Sequence, residues 1–142
     1  MDQNNRFYEF VLNNVDDPLL LYENEKFIFI NKSFKDTFNV TEENVIGTKQ
    51  LPFVNNEHNE KLFNTIKNLL SRPNDAEVDL ELNLWYNKIS VVANVKISKF
   101  DTQRVLCKFK HKSKLENFFN VSTELEWLKV LVHFSVSTSN QI

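Results

Sequence analysis

Three consecutive segments in the second half of the chain alternate between apolar and mostly polar residues. Apolar side chains occupy every second position in residues 78–84, 89–97 and 105–109. Successive side chains of a strand point to opposite faces of a sheet, so this pattern predicts three strands, each with one buried and one wetter face. One-sided burial is typical of antiparallel sheets, because parallel sheets are normally covered on both faces. The second half of the chain is therefore predicted to form an antiparallel sheet.

The first half of the chain predicts a hairpin that follows a short helix. Two apolar runs, residues 19–22 and 26–30, flank the polar segment 23–25, which is the pattern of two strands joined by a tight turn. Upstream of them, residues 4–14 have the apolar spacing of one helix face, which carries Phe7, Phe10 and Val11. All five strands can join in one antiparallel sheet.

Three helices are predicted between the hairpin and the last three strands. Asn31 is a suitable N-cap for a short helix, and Gly47 is placed to end a second one, because glycine adopts the left-handed conformation common after a helix. The third helix is predicted over residues 56–71. Its apolar stripe consists of Leu62, Phe63, Ile66, Leu69 and Leu70.

Composition limits what such a fold can do. The chain has 142 residues, enough for one domain, and 42% of them are apolar. Its 17 basic and 19 acidic residues give a net charge of −2, so no overall field favours nucleic acid or an anionic membrane. A single glycine excludes a Gly-rich phosphate loop, and a single cysteine excludes an internal disulfide. No apolar run reaches the ~20 residues that span a bilayer, and the polar start carries no secretory signal, so we expect a cytoplasmic protein.

Four short blocks follow one another along the first half of the chain. Residues 13–21 contain an asparagine–x–x–aspartate–proline motif that enters the first predicted strand, and residues 27–34 contain the second strand and the Asn-x-x-Phe that follows it. An Ile-Gly at 46–47 and a Phe-Val at 53–54 come next. In this order, the blocks resemble those of the PAS sensory domain family as found in bacterial sensor histidine kinases, and the whole resemblance covers about residues 5–113.

This resemblance implies an α+β fold, a PAS-like five-stranded antiparallel sheet with short helices on one face and flanking helices at both ends. It divides the chain into an N-terminal flanking helix at 1–14, a sensory domain at 15–113, and a linker helix with a polar tail at 114–142, where a truncated second domain could start. The implied function is a non-catalytic sensory and dimerisation module in signal transduction, whose terminal helix passes a ligand- or partner-induced change to an output domain or protein. Two alternatives stay open: the sensor fragment of a histidine kinase, and a protein-interaction scaffold that binds no ligand.

In this family, small ligands lie between the long helix and the sheet. The residues predicted to line that space as a ligand pocket are Phe34, Phe38, Phe53, Leu62, Phe63, Ile66, Leu80, Ile89, Val91 and Ala93. A small apolar ligand is what such residues would bind. The alternative is that the same side chains fill the space as a packed core, and the large size of phenylalanine favours this alternative.

No cofactor, metal or catalytic site is expected. Flavin-binding light sensors of the family place a reactive cysteine on a central helix, whereas residues 39–43 contain none here and Cys107 lies on the last strand. Haem-binding versions need an axial histidine on or after the long helix, and residues 63–77 contain none. Neither a haem nor a covalent flavin adduct is therefore predicted. The three histidines lack the spacing of metal ligands, and no kinase phosphoacceptor motif or nucleophile elbow is present, so no enzyme activity is predicted.

The C-terminal segment predicts a surface for self-association. Apolar residues along 114–132 step by three and four, the spacing of a narrow helical seam. The seam consists of Phe118, Val121, Leu125, Leu128 and Val132. So short a helix must bury its seam, and we expect it to pack with the N-terminal helix in a homodimer; the alternative is that it folds back on its own sheet. On a monomer, we expect Phe119 and Trp127 to be exposed and to form an apolar patch of the kind that marks an interface.

A run of basic residues follows the fourth predicted strand. It consists of Arg104, Lys108, Lys110, Lys112 and Lys114. Nucleic-acid binding would call for aromatic residues interleaved as stacking platforms, and Phe109 is the one such residue within the run. We therefore interpret the run as a solvated strand edge and helix start, and expect neither a nucleic-acid nor a membrane partner.

Overall fold

A five-stranded antiparallel sheet forms the centre of the molecule. In the computed structural model, which describes residues 9–73, 75–86 and 88–120, the strands lie in the order β2-β1-β5-β4-β3. They span β1 (Leu19–Glu23), β2 (Lys26–Ile30), β3 (Glu77–Tyr86), β4 (Ile89–Lys99) and β5 (Arg104–Phe109). Every neighbouring pair is antiparallel, and β1 and β5, the first and last of these five strands along the chain, lie side by side. The predicted hairpin, the three later strands and the single sheet are confirmed.

Four helices have both ends within the described residues. They are α1 (Lys32–Phe38), α2 (Glu42–Val45), α3 (Asn56–Leu70) and α4 (Lys112–Phe119). Residues 9–13 are also helical, which agrees with the described part of the helix predicted at 4–14. Several predicted dimer residues lie outside the described residues: Phe7, Val121, Leu125, Leu128 and Val132. Within the described residues, no helix is long and apolar enough to cross a membrane.

The two faces of the sheet are covered by different elements. Alternate residues of β1 point to opposite faces. Leu20 and Tyr22 belong to the main core beneath the helices, whereas Leu19 and Leu21 pack on the other face with Leu12 of the N-terminal helical turn. Because both faces of β1 are covered, the predicted run of apolar residues is continuous there rather than alternating.

Asn31 joins the start of α1 to the start of β1. Its Oδ1 accepts the N–H groups of Leu19 and Phe34, each at 2.9 Å, so it caps α1 as predicted. Its Nδ2 donates to the carbonyls of Leu12 at 2.9 Å and Asp17 at 3.0 Å. One fully buried amide therefore joins the N-terminal helical turn, β1 and α1.

Gly47 ends the turn after α2 in the left-handed conformation, with φ of +84°. Its N–H donates to the carbonyl of Phe27 at 2.8 Å, and the N–H of Phe27 donates to the carbonyl of Thr48 at 2.7 Å. The predicted role of this glycine is confirmed, and the bonds with β2 give its physical reason. The chain can pair with the sheet edge only if it reverses at residue 47.

Candidate functional site

Aromatic side chains from α1, α4, the sheet and the loop before α3 meet on the helical side of the sheet. We call them the aromatic cluster: Phe34, Phe38, Phe53, Tyr86, Phe109, Phe118 and Phe119. Most of their rings meet edge to face, with centroids between 4.5 and 6.1 Å apart. Such geometry aligns the positive edge of one ring with the negative face of the next.

Helix α1 supplies the centre of the aromatic cluster. Phe34 and Phe38 lie one turn apart, so they share one face of the helix, with 4.7 Å between their ring centroids. The helix is short because Asn39, with φ of 54°, ends it in the left-handed conformation. Both rings also contact Phe109 at the end of β5, at 5.7 and 5.1 Å.

Phe53 is held in the aromatic cluster by hydrogen bonds around it in the loop. The buried amide of Asn59 accepts the N–H of Leu51 at 2.8 Å and donates to the carbonyl of Val54 at 2.8 Å. On the other side, the N–H of Trp85 in β3 donates to the carbonyl of Phe53 at 2.7 Å. The ring of Phe53 therefore stacks on that of Phe38, at 4.5 Å and 19°.

Helix α4 adds the last two rings, and here one prediction is wrong. Phe119 was expected to be exposed on a monomer, but its side chain is 2% exposed and contacts the rings of Phe38 and Phe53 at 5.1 and 5.3 Å. The cause is the turn before α4, where His111 adopts φ of 61° and directs the helix back over α1 and β4. Phe118, which was assigned to the dimer seam, is also buried against the chain's own core.

All the predicted pocket residues lie in one continuous apolar core. The buried ones are Phe34, Phe38, Phe53, Leu62, Ile66 and Ala93. The half-buried ones are Phe63, Leu80, Ile89 and Val91. Phe63 stands apart from the aromatic cluster, because its ring contacts Tyr22 at 6.2 Å and the ammonium groups of Lys49 and Lys67 at 5.8 and 5.2 Å. Whether these residues bind a ligand stays a prediction.

Sequence reasoning missed several members of the aromatic cluster. Phe109 was placed correctly on the buried face of β5 but was not assigned to the site, although it carries the alternation that predicted its orientation. Tyr86 was predicted on the face of the sheet away from the helices, and this is wrong. Strand β3 extends two residues beyond the predicted end at Leu84, so Tyr86 shares the face of Leu84 and its ring contacts Phe119. For Phe119 no local signal exists, since its position depends on the direction in which α4 leaves the sheet.

Two buried hydroxyl groups lack hydrogen-bond partners among the described residues. They belong to Tyr22 on β1 and Thr37 on α1. Burial, with a smaller contribution from the charge of Glu25, raises the pKa of Tyr22 to about 12. A buried hydroxyl without a partner costs free energy, so each of these groups is a place where a water or ligand atom would be stabilised.

The residues present do not fit a flavin attached through cysteine. Cys107 is fully buried on β5, between Val105 and Phe109, and burial raises the pKa of its thiol to about 12. A reactive thiol needs a lowered pKa and access. In addition, the rings of Phe38 and Phe53 stack on each other at 4.5 Å, which leaves no gap between them for a planar group. Among the described residues no group of three His, Cys, Asp or Glu side chains is placed to hold a metal ion.

The basic run and the first histidine have local structural partners. Lys108 forms an ion pair with Asp17 at 3.3 Å, and Lys110 forms one with Asp79 at 3.2 Å. These exposed pairs agree with the interpretation of the run as a solvated edge, and the absence of a nucleic-acid partner stays a prediction. His58 joins α3 to β3, because its Nδ1 accepts the N–H of Asn83 at 3.2 Å.

Comparison with known proteins gives structural matches but no sequence family. No family model matches the chain, and no curated protein matches it in sequence. The PAS domain of BvgS from Bordetella pertussis matches with a TM-score of 0.60 at 11% identity, over 96% of this chain and 99% of that one. The LOV protein of Rhodobacter sphaeroides matches with a TM-score of 0.58 at 16% identity, over 77% of this chain and 67% of that one.

A third match is the PAS domain of the quorum-sensing receptor RpfR from Cronobacter turicensis, solved in complex with BDSF. Its TM-score is 0.54 at 12% identity, over 68% of this chain and 93% of that one. Strand order, helix positions and these matches agree with the blocks identified in the sequence. This chain therefore has the PAS fold.

Proposed function

We propose that the chain is a non-catalytic sensory module of signal transduction, which holds a small apolar ligand between its helices and its sheet. Ligand binding would bias the arrangement of the flanking helices, and these would pass the change to an output domain or protein. A cytoplasmic location and a homodimer are parts of the proposal. The shared fold with PAS domains supports it, and one of those domains is solved with a bound ligand.

The observation that carries the proposal is the link from α1 to both flanking segments. At its start, Asn31 hydrogen-bonds the carbonyl of Leu12 in the N-terminal helical turn. Toward its end, Phe38 contacts Phe119 of α4. A ligand that displaced α1 would therefore disturb both segments, because close-packed interiors do not absorb such shifts locally.

The chemistry of the interior favours an uncharged apolar ligand. The side chains that meet there are aromatic and aliphatic, from Phe34 on α1 to Leu62 on α3 and Ala93 on β4. Burying an unpaired charge among them would cost far more than apolar contacts return. Thr37, with its unpaired buried hydroxyl, could add one hydrogen bond.

The N-terminal helical turn supports the homodimer. Phe10 is 70% exposed and Val11 is 45% exposed, while Leu12 of the same turn is buried against β1. Adjacent exposed apolar side chains on a surface element are typical of a protein contact. The C-terminal seam was predicted to share this contact. However, α4 lies on the opposite face of the sheet from the N-terminal helical turn. We therefore propose that the contact is made by the N-terminal helical turn.

A ligand-free interaction scaffold is the second candidate. The stacked rings of Phe38 and Phe53 and the edge contact of Phe34 with Phe109 favour it, because they fill space that a ligand would need. The third candidate is that the chain is the sensor fragment of a histidine kinase. This candidate is compatible with the proposal, because it concerns only the larger protein to which the module would belong.

Native mass spectrometry of the purified chain tests the proposal against the scaffold. We expect a bound small molecule in the mass spectrum, or one that binds from a panel of apolar compounds, and a change in hydrogen exchange at residues 9–13 and 112–120 on binding. Ala93→Leu narrows the interior from β4 and should abolish binding, whereas Ser90→Leu on the exposed face of the same strand should not. An unliganded mass together with no binding from the panel would favour the scaffold.

A further inference from the structure

Phe119 fills a slot that is lined by rings on several sides. Its ring lies 5.1 Å from Phe38 at 84°, 5.3 Å from Phe53 at 65°, 5.7 Å from Tyr86 at 53° and 5.0 Å from Phe118 at 72°. Three of these rings come from α1, from the loop before α3 and from β3, outside α4. The chain thus brings one planar ring into a site built by separate elements.

The described hydrogen bonds between α4 and other elements are made by side chains near its two ends. Beyond Phe119, the helix ends at Asn120, whose Nδ2 donates to its own Glu116 carbonyl at 2.8 Å and, more distantly, to the carbonyls of Thr37 at 3.3 Å and Asp36 at 3.4 Å. At the other end, Lys114 Nζ donates to the carbonyl of Val92 at 3.0 Å, an exposed bond. The helix starts from His111 in the left-handed conformation, which few residues other than glycine favour. Leu115 and Phe118 are its further buried side chains.

The helix that carries Phe38 also carries a buried polar group without a partner among the described residues. Thr37 directly precedes Phe38 on α1, and its carbonyl receives the Asn120 amide, yet its buried hydroxyl has no partner among the described residues. Aromatic walls and one unsatisfied hydroxyl match a ligand that is flat, uncharged and carries one hydrogen-bonding group.

We propose that the slot occupied by Phe119 is a binding site for an uncharged planar aromatic compound such as a phenol, and that Phe119 is the chain's own competing occupant. The compound and Phe119 cannot fill the slot together, so binding releases α4 from α1. This inference rests on the proposed sensory function and names its ligand class and its switching element. A molecule in which Phe119 fills the slot cannot bind the compound. The apparent affinity is therefore the affinity of the open slot multiplied by the fraction of molecules in which the slot is open.

The test uses 2-naphthol as the probe, with binding followed by equilibrium dialysis and α4 by hydrogen exchange at residues 112–120. Phe119→Ala vacates the slot and should bind the probe at least about tenfold more tightly than the original chain. Phe27→Ala is the matched control, because it removes an equally buried ring that contacts Tyr22, outside the slot. Asn120→Ala keeps the ring but removes the hydrogen bonds of the Asn120 amide to the Asp36 and Thr37 carbonyls of α1, and should bind a few-fold more tightly and exchange faster in α4.

Each outcome decides the inference. Tighter binding by Phe119→Ala than by Phe27→Ala, together with faster exchange of α4 when the original chain binds the probe, supports it. Equal binding by those two variants, or binding to the original chain with α4 exchange unchanged, overturns it. If Phe119→Ala does not fold, Asn120→Ala decides in the same way. A copurified ligand that leaves α4 docked would overturn this inference while the proposed sensory function stands.

Discussion

The rings of Phe38 and Phe119 meet nearly at right angles, at 84° and 5.1 Å between centroids. Phe38 belongs to the first helix after the hairpin, and Phe119 to the last described helix, so this contact closes the helical layer over the sheet. Phe38 also contacts Phe34, Phe53 and Phe109. A displacement of any of these three rings would therefore act on α4 through the ring of Phe38.

Replacing Phe34 tests the packing of the core beneath that contact. Its side chain is fully buried between α1 and the sheet, so Phe34→Ala should lower the free energy of unfolding by roughly 3–5 kcal/mol. Urea denaturation followed by circular dichroism measures the change. Val92→Ala, at a side chain that is 43% exposed on β4, is the control and should change it by less than about 1 kcal/mol. A loss below about 1 kcal/mol for Phe34→Ala would contradict its place in the core.

The sequence predicted the sheet well because its signals are local. The alternation along β3, β4 and β5 and the two apolar runs of the hairpin each specify a strand within a few residues. The direction of α4 has no such signal. It depends on the backbone of His111, a residue with no strong preference for positive φ, and on the packing of Phe119 against rings that are distant in the sequence. The same absence of local signal explains why Phe118 and Phe119 were assigned to a surface.

Asn31 should be among the most sensitive polar positions. Asn31→Ala leaves the buried N–H of Leu19 without its acceptor and removes the donor to the carbonyl of Leu12. Each unsatisfied buried group costs about 1–3 kcal/mol, so the total loss should be about 3 kcal/mol or more. Denaturation midpoints measure it, with Asn14→Ala as the control, because the Asn14 side chain makes one exposed bond to the carbonyl of Phe10. Equal effects of the two variants would refute the joining role of Asn31.

A substitution at Gly47 tests the cost of backbone strain without any contribution from steric crowding. A Cβ at this position would have no atom within 4 Å, so the cost of Gly47→Ala comes from φ of +84° alone. We expect a loss of about 1 kcal/mol in the free energy of unfolding. Gly47→Asn should cost less than Gly47→Ala, because asparagine tolerates the left-handed conformation better. The order of the two denaturation midpoints checks this, and the reverse order would show that the turn had been assigned wrongly.

The thiol of Cys107 should not react with thiol reagents in the folded chain. Burial raises the pKa of its thiol to about 12, so the nucleophilic thiolate is almost absent at about pH 8. Labelling by a disulfide reagent should then proceed only through unfolding and accelerate in urea, whereas the exposed variant Ser90→Cys should react at once. The unfolded thiol ionises near pH 8.5 while the folded thiol keeps its proton, so this residue lowers the free energy of unfolding as pH rises above that value. Rapid labelling of native Cys107 would contradict its burial.

The last prediction concerns self-association through the N-terminal helical turn. Phe10→Asp places a charge in the proposed contact and should weaken the homodimer by at least about tenfold, because a desolvated aromatic side chain contributes strongly to an interface. Light scattering at tens of micromolar chain measures the mass. Trp85→Asp is the control, since Trp85 is 42% exposed on β3 at the other edge of the sheet. A monomeric mass for the original chain would end the dimer proposal, and a dimer that survives Phe10→Asp but not Trp85→Asp would move the contact to the β3 edge.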